Sequence, residues 1–328
     1  MAAPHDVVCF GEILWDLFEA EPRGDEPMAR AFRCEVGGSP TNVAVGLARL
    51  GIRSAIVGGV GRDRFGRGLK RLLETEHVAT DFVIELPNRT GLGFVMRDTE
   101  GEPEFLFYKH DSADLAMTAE DLPPAAGLTK WGLVGTNTLV TPSLAQATRR
   151  FLDLIRANDG LLFVDLNVRL HMWSDHDAMR AAIANLVKDA HVIKASEPDL
   201  EALAGPRGIE WLETHGPGAT WILTRGQHGA AAHGAHGQIA VPATSVRAID
   251  ATGAGDAFVA GVLAVLVESG ARPGDQRWKD ADVWTRALEV GHTMGSKAVR
   301  SIGAITGLTG LEAVRAAIKR TTSSTAKP

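Results

Sequence analysis

Short apolar runs alternate with longer stretches of helical periodicity along most of the chain. The segments "DVVCFG" (6–11), "SAIVGGV" (54–60), "WGLVGT" (131–136), "LLFVDL" (161–166), "AHVIKA" (190–195) and "TWILTR" (220–225) have the length and near-continuous apolarity of strands buried on both faces. Between them, helical spacing recurs near 41–50, 65–76, 143–158, 177–188 and 198–204. This alternation predicts an α/β fold with a mostly parallel central sheet covered on both sides. Pro198 suits the first turn of its helix, and Gly51 suits the stop after "ARL".

One region departs from the pattern. "TGLGFVMRDTEGEPEFLFYKHDSAD" (90–114) reads as two strands around the turn "DTEGE". Together with residues 12–35 it predicts a small sheet outside the main layers. The tail from about residue 320, "TTSSTAKP", has the composition of a disordered terminus. With no internal repeat and no low-complexity linker, residues 1–328 read as one domain carrying a small appended sheet.

Composition narrows the class. The chain has 328 residues, 45% of them hydrophobic, enough for a large core. Its 36 glycines follow no collagen-like period and point to tight turns and close backbone approaches. A formal charge of −6 gives no footprint for nucleic acid. No run of about 18 apolar residues is present, so no membrane-spanning helix is expected. The segment "MAAPHDVVCFGE" lacks the basic and apolar regions of a secretory signal. Cys9 and Cys34 are too few to staple a fold of this size and read as reduced thiols of a cytoplasmic protein.

Polar residues with chemical potential follow the strands. Glu12 and Asp16 come after the first, and Asp165, Asn167 and Arg169 close "LLFVDLNVR". Ser196 and Asp199 follow "HVIKA", and Thr224, Arg225 and Gly226 end "TWILTRG". In an open α/β sheet, ligands bind beyond the carboxyl ends of the strands, so these segments converge on one edge. In "VGGSPTNVAVGLARLG" (36–51), Gly37 and Gly38 allow close approach to a ligand. Asn42 then stands near the start of a helix whose Val43, Leu47 and Leu50 face inward. Its amide suits a polyhydroxyl ligand, although a glycine turn with an N-cap explains the same residues. "GGVGRDRFG" (58–66) lacks the spacing of a dinucleotide fingerprint, and no Walker loop is present.

"DATGAGDAFVAG" (250–261) places Gly253, Ala254 and Gly255 before one acid, Asp256, and a long apolar run. Small residues at a helix entrance let an anion reach the free amides of Ala254, Gly255 and Asp256. A carboxylate beside an anion site needs a task, and phosphoryl transfer supplies one: orienting a hydroxyl and taking its proton. A simple helix cap is the other use of Asp256.

"GGSPTNVAVGLARLGIRSAIVGGVG" (37–61) and "DATGAGDAFVAGVL" (250–263) together resemble the two signatures of the ribokinase-like (PfkB) carbohydrate kinases. "GEILWD", "DLNVR", "KASEPDLEAL" and "TRGQHG" fall where that family places its other segments, and the likeness covers about residues 6–310. The resemblance implies a three-layer α/β/α fold with a small β-sheet lid built from about 12–35 and 90–114. It also implies ATP-dependent phosphorylation of a sugar hydroxymethyl group, with Asp256 as base and Gly253, Ala254 and Gly255 as the anion hole. Asp16, Gly37, Gly38 and Asn42 would bind sugar hydroxyls, with Arg169 and the lid residue Lys109 nearby. Ser196 and Asp199 would occupy the place of the family's segment that organises Mg²⁺ and phosphate through water, and Lys194 would bind the nucleotide beside them. Thr224 to Gly229, including Gly226, would line the nucleotide site with His292. Asp250 and Thr252, with carbonyls near Gly303, match a monovalent-cation (K⁺) site.

Three positions depart from the family pattern. Ala251 replaces a threonine, Ser196-x-x-Asp199 replaces N-x-x-E, and His292 stands where an asparagine is common. The segments "GEILWD", "FYKHDSAD", "DLNVRLHMW" (with Trp173) and "IKASEPDLEAL" look most like fructokinases. 2-Keto-3-deoxygluconate kinase is the alternative within the family, with Lys109 or Arg169 as partner for an acid substrate, and a non-catalytic sugar sensor is the alternative outside it. Relatives that pair through the lid suggest a homodimer.

Overall fold

The computed structural model describes residues 4–20, 31–97 and 103–319. The turn "DTEGE", part of the 12–35 segment and the tail lie outside the described residues. In chain order the first elements are β1 (His5–Phe10), β2 (Leu14–Glu19), β3 (Phe32–Gly37), α1 (Ser39–Arg49), β4 (Ser54–Gly61) and α2 (Arg64–Thr75). They are followed by β5 (Val83–Leu86), β6 (Leu92–Arg97), β7 (Pro103–Tyr108), β8 (Thr129–Gly135), α3 (Pro142–Ala157) and β9 (Leu161–Asp165). Next come α4 (His176–Val187), β10 (Val192–Ser196), α5 (Glu197–Ala204), α6 (Gly208–His215), β11 (Thr220–Thr224), β12 (Ala230–Gly234) and β13 (Gly237–Val241). Among the described residues the last three helices are α7 (Ala254–Ser269), α8 (Ala281–Ala298) and α9 (Glu312–Lys319).

A nine-stranded sheet has the order β13-β12-β11-β10-β9-β8-β1-β4-β5. It is parallel from β5 to β11, and β12 and β13 add antiparallel at one edge. The period-2 alternation of each strand divides its side chains between two apolar layers. Val7, Cys9, Leu133, Phe163 and Ile222 pack with α1, α2, α7, α8 and α9. Val8, Phe10, Val134, Val164 and Leu223 pack with α3, α4, α5 and α6. Three layers result, because every central strand is apolar on both faces and must be covered twice.

The smaller sheet, β3-β2-β6-β7, stands apart and contains the expected hairpin of β6 and β7. Asp16 lies on β2 and Lys109 directly follows β7, so this sheet supplies polar groups to the sheet edge described below.

Helix α7 is apolar on all sides, and Ala257 to Val267 are buried throughout. Such a helix must sit inside the molecule. At Gly261 a side chain would come within 2.9 Å of the Gly291 backbone on α8, and at Gly46 within 2.8 Å of Ala260. Close packing on α1 and α8 therefore sets where the first turn of α7 stands.

Candidate active site

The α7 turn is built by a glycine that no other residue replaces without strain. Gly253 is left-handed at φ 74°, and a Cβ there would lie 2.4 Å from Ala304. No side chain caps the helix. The amide of Ala254 donates to the Ala251 carbonyl, whereas Gly255 and Asp256 supply first-turn amides with no intrahelical acceptor. Asp256 is not the cap. Its carboxylate reaches across to the start of α1, where Ser39 Oγ donates to Oδ1 at 2.7 Å and Asn42 Nδ2 donates to Oδ2 at 2.8 Å.

The two glycine-rich segments, more than 200 residues apart, thus meet through one acid. Burial pushes the Asp256 pKa up, against the bonds from Ser39 and Asn42 and the charges of Lys194 and Arg169, which pull it down. Asn42 is buried, and its Oδ1 has no hydrogen-bond partner. An unmatched buried acceptor beside a carboxylate is the mark of a place for a hydroxyl donor.

Asp16 lies on the small-sheet side of this junction. A Cβ on Gly37 would fall 2.3 Å from its Oδ2, and one on Gly93 would fall 2.8 Å from its Oδ1. These two glycines make the space for the carboxylate. Burial, with Asp256 and Glu12 adding repulsion and Lys109 opposing it, pushes Asp16 up to about 7. Gly38, at φ 97°, holds α1 against the Glu12 carbonyl, where a Cβ would stand at 2.2 Å. Lys109 is buried and pairs with Asp114 at 2.6 Å. Burial works against its charge, but Asp114 and Glu12 outweigh burial and raise its pKa. Arg169 is exposed at the surface of the same region. Its loop neighbour His171 stacks on Phe107 of β7 at 5.6 Å, linking the small sheet to the body.

On the other side of α7 a cleft of about 470 Å³ is lined by Thr224, Gly226, Ala254, Gly255, Phe258 and His292. The loop at 243–248 and Gly295 and Ser296 of α8 complete its wall. His292 Nε2 is buried without a partner, and burial lowers the pKa of the ring, leaving a neutral imidazole. Gly229 does not line the cleft. It turns β11 into β12 at φ 95°, against the Val241 carbonyl.

Lys194 of β10 and Asp165, the last residue of the neighbouring β9, are register partners and form a buried pair at 3.0 Å. Lys194 Nζ stands 3.4 Å from where a Cβ of Gly255 would lie, directly beneath the α7 turn. The Ser196-x-x-Asp199 segment is a capping box for α5. Asp199 accepts from Ser196 N and Oγ and, with its other oxygen, from Val168 N, each at 2.7 Å. Among the described residues, no cluster of three or more His, Cys, Asp or Glu side chains could hold a metal. Asp250 Oδ1 accepts from Thr252 N and Oγ1, and its Oδ2 from Gly303 N, so those three residues form one oxygen-rich knot.

The motifs and the strand ends pointed to most of these residues. They did not point to Ser39 or Gly93, nor to the 243–248 loop. Each is distant in sequence from its partner, and "PATSV" carries no periodicity or motif.

This geometry has relatives. Residues 4–310 match the pfkB family carbohydrate kinase profile. A fructokinase from Klebsiella pneumoniae is 36% identical over 305 residues, covering 91% of this chain and 94% of the relative. The structure of fructokinase with bound ATP from Xylella fastidiosa superposes with a TM-score of 0.83 at 26% identity, covering 97% of this chain and 99% of that one. Fructokinase from Vibrio cholerae O395, solved with fructose, ADP and calcium ion bound, gives a TM-score of 0.81 at 28% identity over 96% of this chain and 99% of that one. With a matching profile across nearly the whole chain, a ribokinase-like fold and the two signatures joined at Asp256, the chain belongs to the pfkB family of carbohydrate kinases.

Proposed function

We propose that this carbohydrate kinase transfers the γ-phosphoryl group of ATP to a hydroxyl of fructose, with Asp256 as general base. The observation that carries this reading is the position of Asp256. It stands between the cleft lined by Ala254 and Gly255 and the polar cluster around Asn42 and Asp16. In the reaction Asp256 takes the proton of the sugar hydroxyl as its oxygen attacks phosphorus, and ADP leaves. The amides of Gly255 and Asp256 and the ammonium of Lys194 meet the charge that builds on the phosphates. Phe258 and His292 offer the base of the nucleotide an apolar wall and a neutral ring nitrogen. The small sheet acts as a lid that excludes water, and it is also the face through which a homodimer would form.

Bound with ATP, Mg²⁺ would supply charge neutralisation on the phosphates. Asp199, whose carboxylate is held by three hydrogen bonds, and Asp165, whose buried Oδ2 has no partner, would hold the ion through its water shell. The oxygens of Asp250 and Thr252 fit a hard monovalent cation such as K⁺.

Charge favours a neutral sugar over a keto acid. Lys109 is already matched by Asp114, and Glu12, Asp16 and Asp256 surround the same space. A substrate carboxylate would enter against three acids. The reading is tested by ADP release on fructose, 2-keto-3-deoxygluconate, ribose, glucose and adenosine. Fructose is expected to give the highest kcat/KM, and preference for the keto acid would overturn the assignment.

The pKa near 7 of Asp16 has a consequence for binding. The ionised carboxylate is the better acceptor for sugar hydroxyls, and it forms as pH rises through about 7. The KM for fructose is therefore expected to fall between pH 6 and 8, and D16N should abolish that slope while raising KM. Equal slopes in parent and variant would assign the titration elsewhere.

A further inference from the structure

Ser39 stands outside the residues assigned to chemistry by the motifs, yet its side chain ends on the acid of the α7 turn. Its hydroxyl donates to Asp256 Oδ1 at 2.7 Å, and its own amide donates to Glu12 Oε1 at 3.3 Å. One half-buried residue therefore touches two carboxylates from separate segments. Its place is fixed on both sides. Gly38 is pressed against the Glu12 carbonyl, and Pro40 is buried in the first turn of α1. Asn42, three residues on along the same helix, holds the other oxygen of Asp256. Each carboxylate oxygen keeps a lone pair for a further donor.

Resting on the reading of Asp256 as general base, we propose that Ser39 is a positioning residue whose hydroxyl fixes the Asp256 carboxylate in the orientation that faces the attacking sugar hydroxyl. Without it, Asp256 Oδ1 has no fixed protein donor among the described residues, and the group can rotate about its side-chain bond. The proton still passes from the sugar hydroxyl to Asp256, and no atom of Ser39 is consumed.

The same bond tunes when the base is free. Burial raises the Asp256 pKa, and Ser39, Asn42, Lys194 and Arg169 lower it. Asp16 and Asp165 face it from β2 and β9 as like charges. Removing the Ser39 hydroxyl takes away one of the groups that favour the ionised form, so the acid limb of the rate profile moves to higher pH.

The test compares S39A, S39T and D256N, with the S39A/D256N double variant, in fructose phosphorylation. S39A is expected to lower kcat about tenfold or more, the loss typical of a hydrogen bond to a charged group. It should leave the KM for ATP unchanged and shift the acid limb of kcat upward. S39T, which keeps the hydroxyl, should restore both. In the D256N background S39A should cost nothing further, because its effect runs through the base. An S39A enzyme with parental kcat and acid limb overturns the proposal, as does a loss that S39T does not rescue. D256N with near-normal turnover would instead sink the base assignment itself, and the role of Ser39 with it.

Discussion

D256N is expected to lower kcat about 10²–10⁴-fold, the contribution of a positioned general base, while the protein stays folded and binds ATP. Asparagine has the shape of aspartate but cannot accept the proton. Its carbonyl can keep the bond from Ser39, which now spans 2.7 Å to Oδ1. Its amide would meet the Asn42 amide as donor against donor. A flip of Asn42 resolves that conflict, because Asn42 Oδ1 has no partner and becomes the acceptor. The substitution therefore removes charge and proton affinity with little repacking. Steady-state ADP release, with ATP binding followed by calorimetry, separates the two effects. Turnover near the parental rate would remove Asp256 from the base role.

The second large effect is expected at Lys194. Its ammonium and Asp165 are register partners on parallel strands, 4% and 2% exposed. Burial pushes Asp165 up to about 6, still ionised at neutral pH, and Asp165 holds the Lys194 ammonium charged. K194M leaves that carboxylate alone in the interior. Breaking such a pair from one side costs about 3–5 kcal/mol, read as a lower denaturant midpoint. Replacing both partners, as in D165L/K194M, should recover most of that stability because no lone charge remains. Turnover should not recover, since the ammonium beneath Gly255 is gone. A K194M protein that unfolds at the parental midpoint would show the pair to be dispensable.

The central strands were legible because they are apolar on both faces. The runs 54–60 and 161–166 became β4 (54–61) and β9 (161–165) almost residue for residue. A helix stop was legible for a separate local reason, the glycine at position 51, left-handed at φ 88°. The antiparallel edge was not. β12 reads "AAAHG", where alanine and glycine carry weak strand preference, and only pairing with β11 makes it a strand. α8 interrupts its apolar stripe with glycines that pack on α7, which hides the helix in the pattern.

In the site, Asp256 and Asn42 were visible as motif residues, but their contact across 214 positions was not. Asp199 shows the opposite limit. Its spacing from Ser196 matches a metal-organising segment, while locally the shorter acid closes a capping box. Its third bond, to Val168 N, depends on a loop 31 residues away.

Identifying the product tests most directly whether Asp256 drives phosphoryl transfer to the sugar. Purified protein is incubated with fructose, ATP and Mg²⁺ and followed by ³¹P NMR beside D256N. A sugar phosphomonoester is expected to appear in step with ADP in the parent and to be nearly absent in the variant. ADP accompanied only by inorganic phosphate, or a phosphomonoester formed equally by D256N, would contradict it.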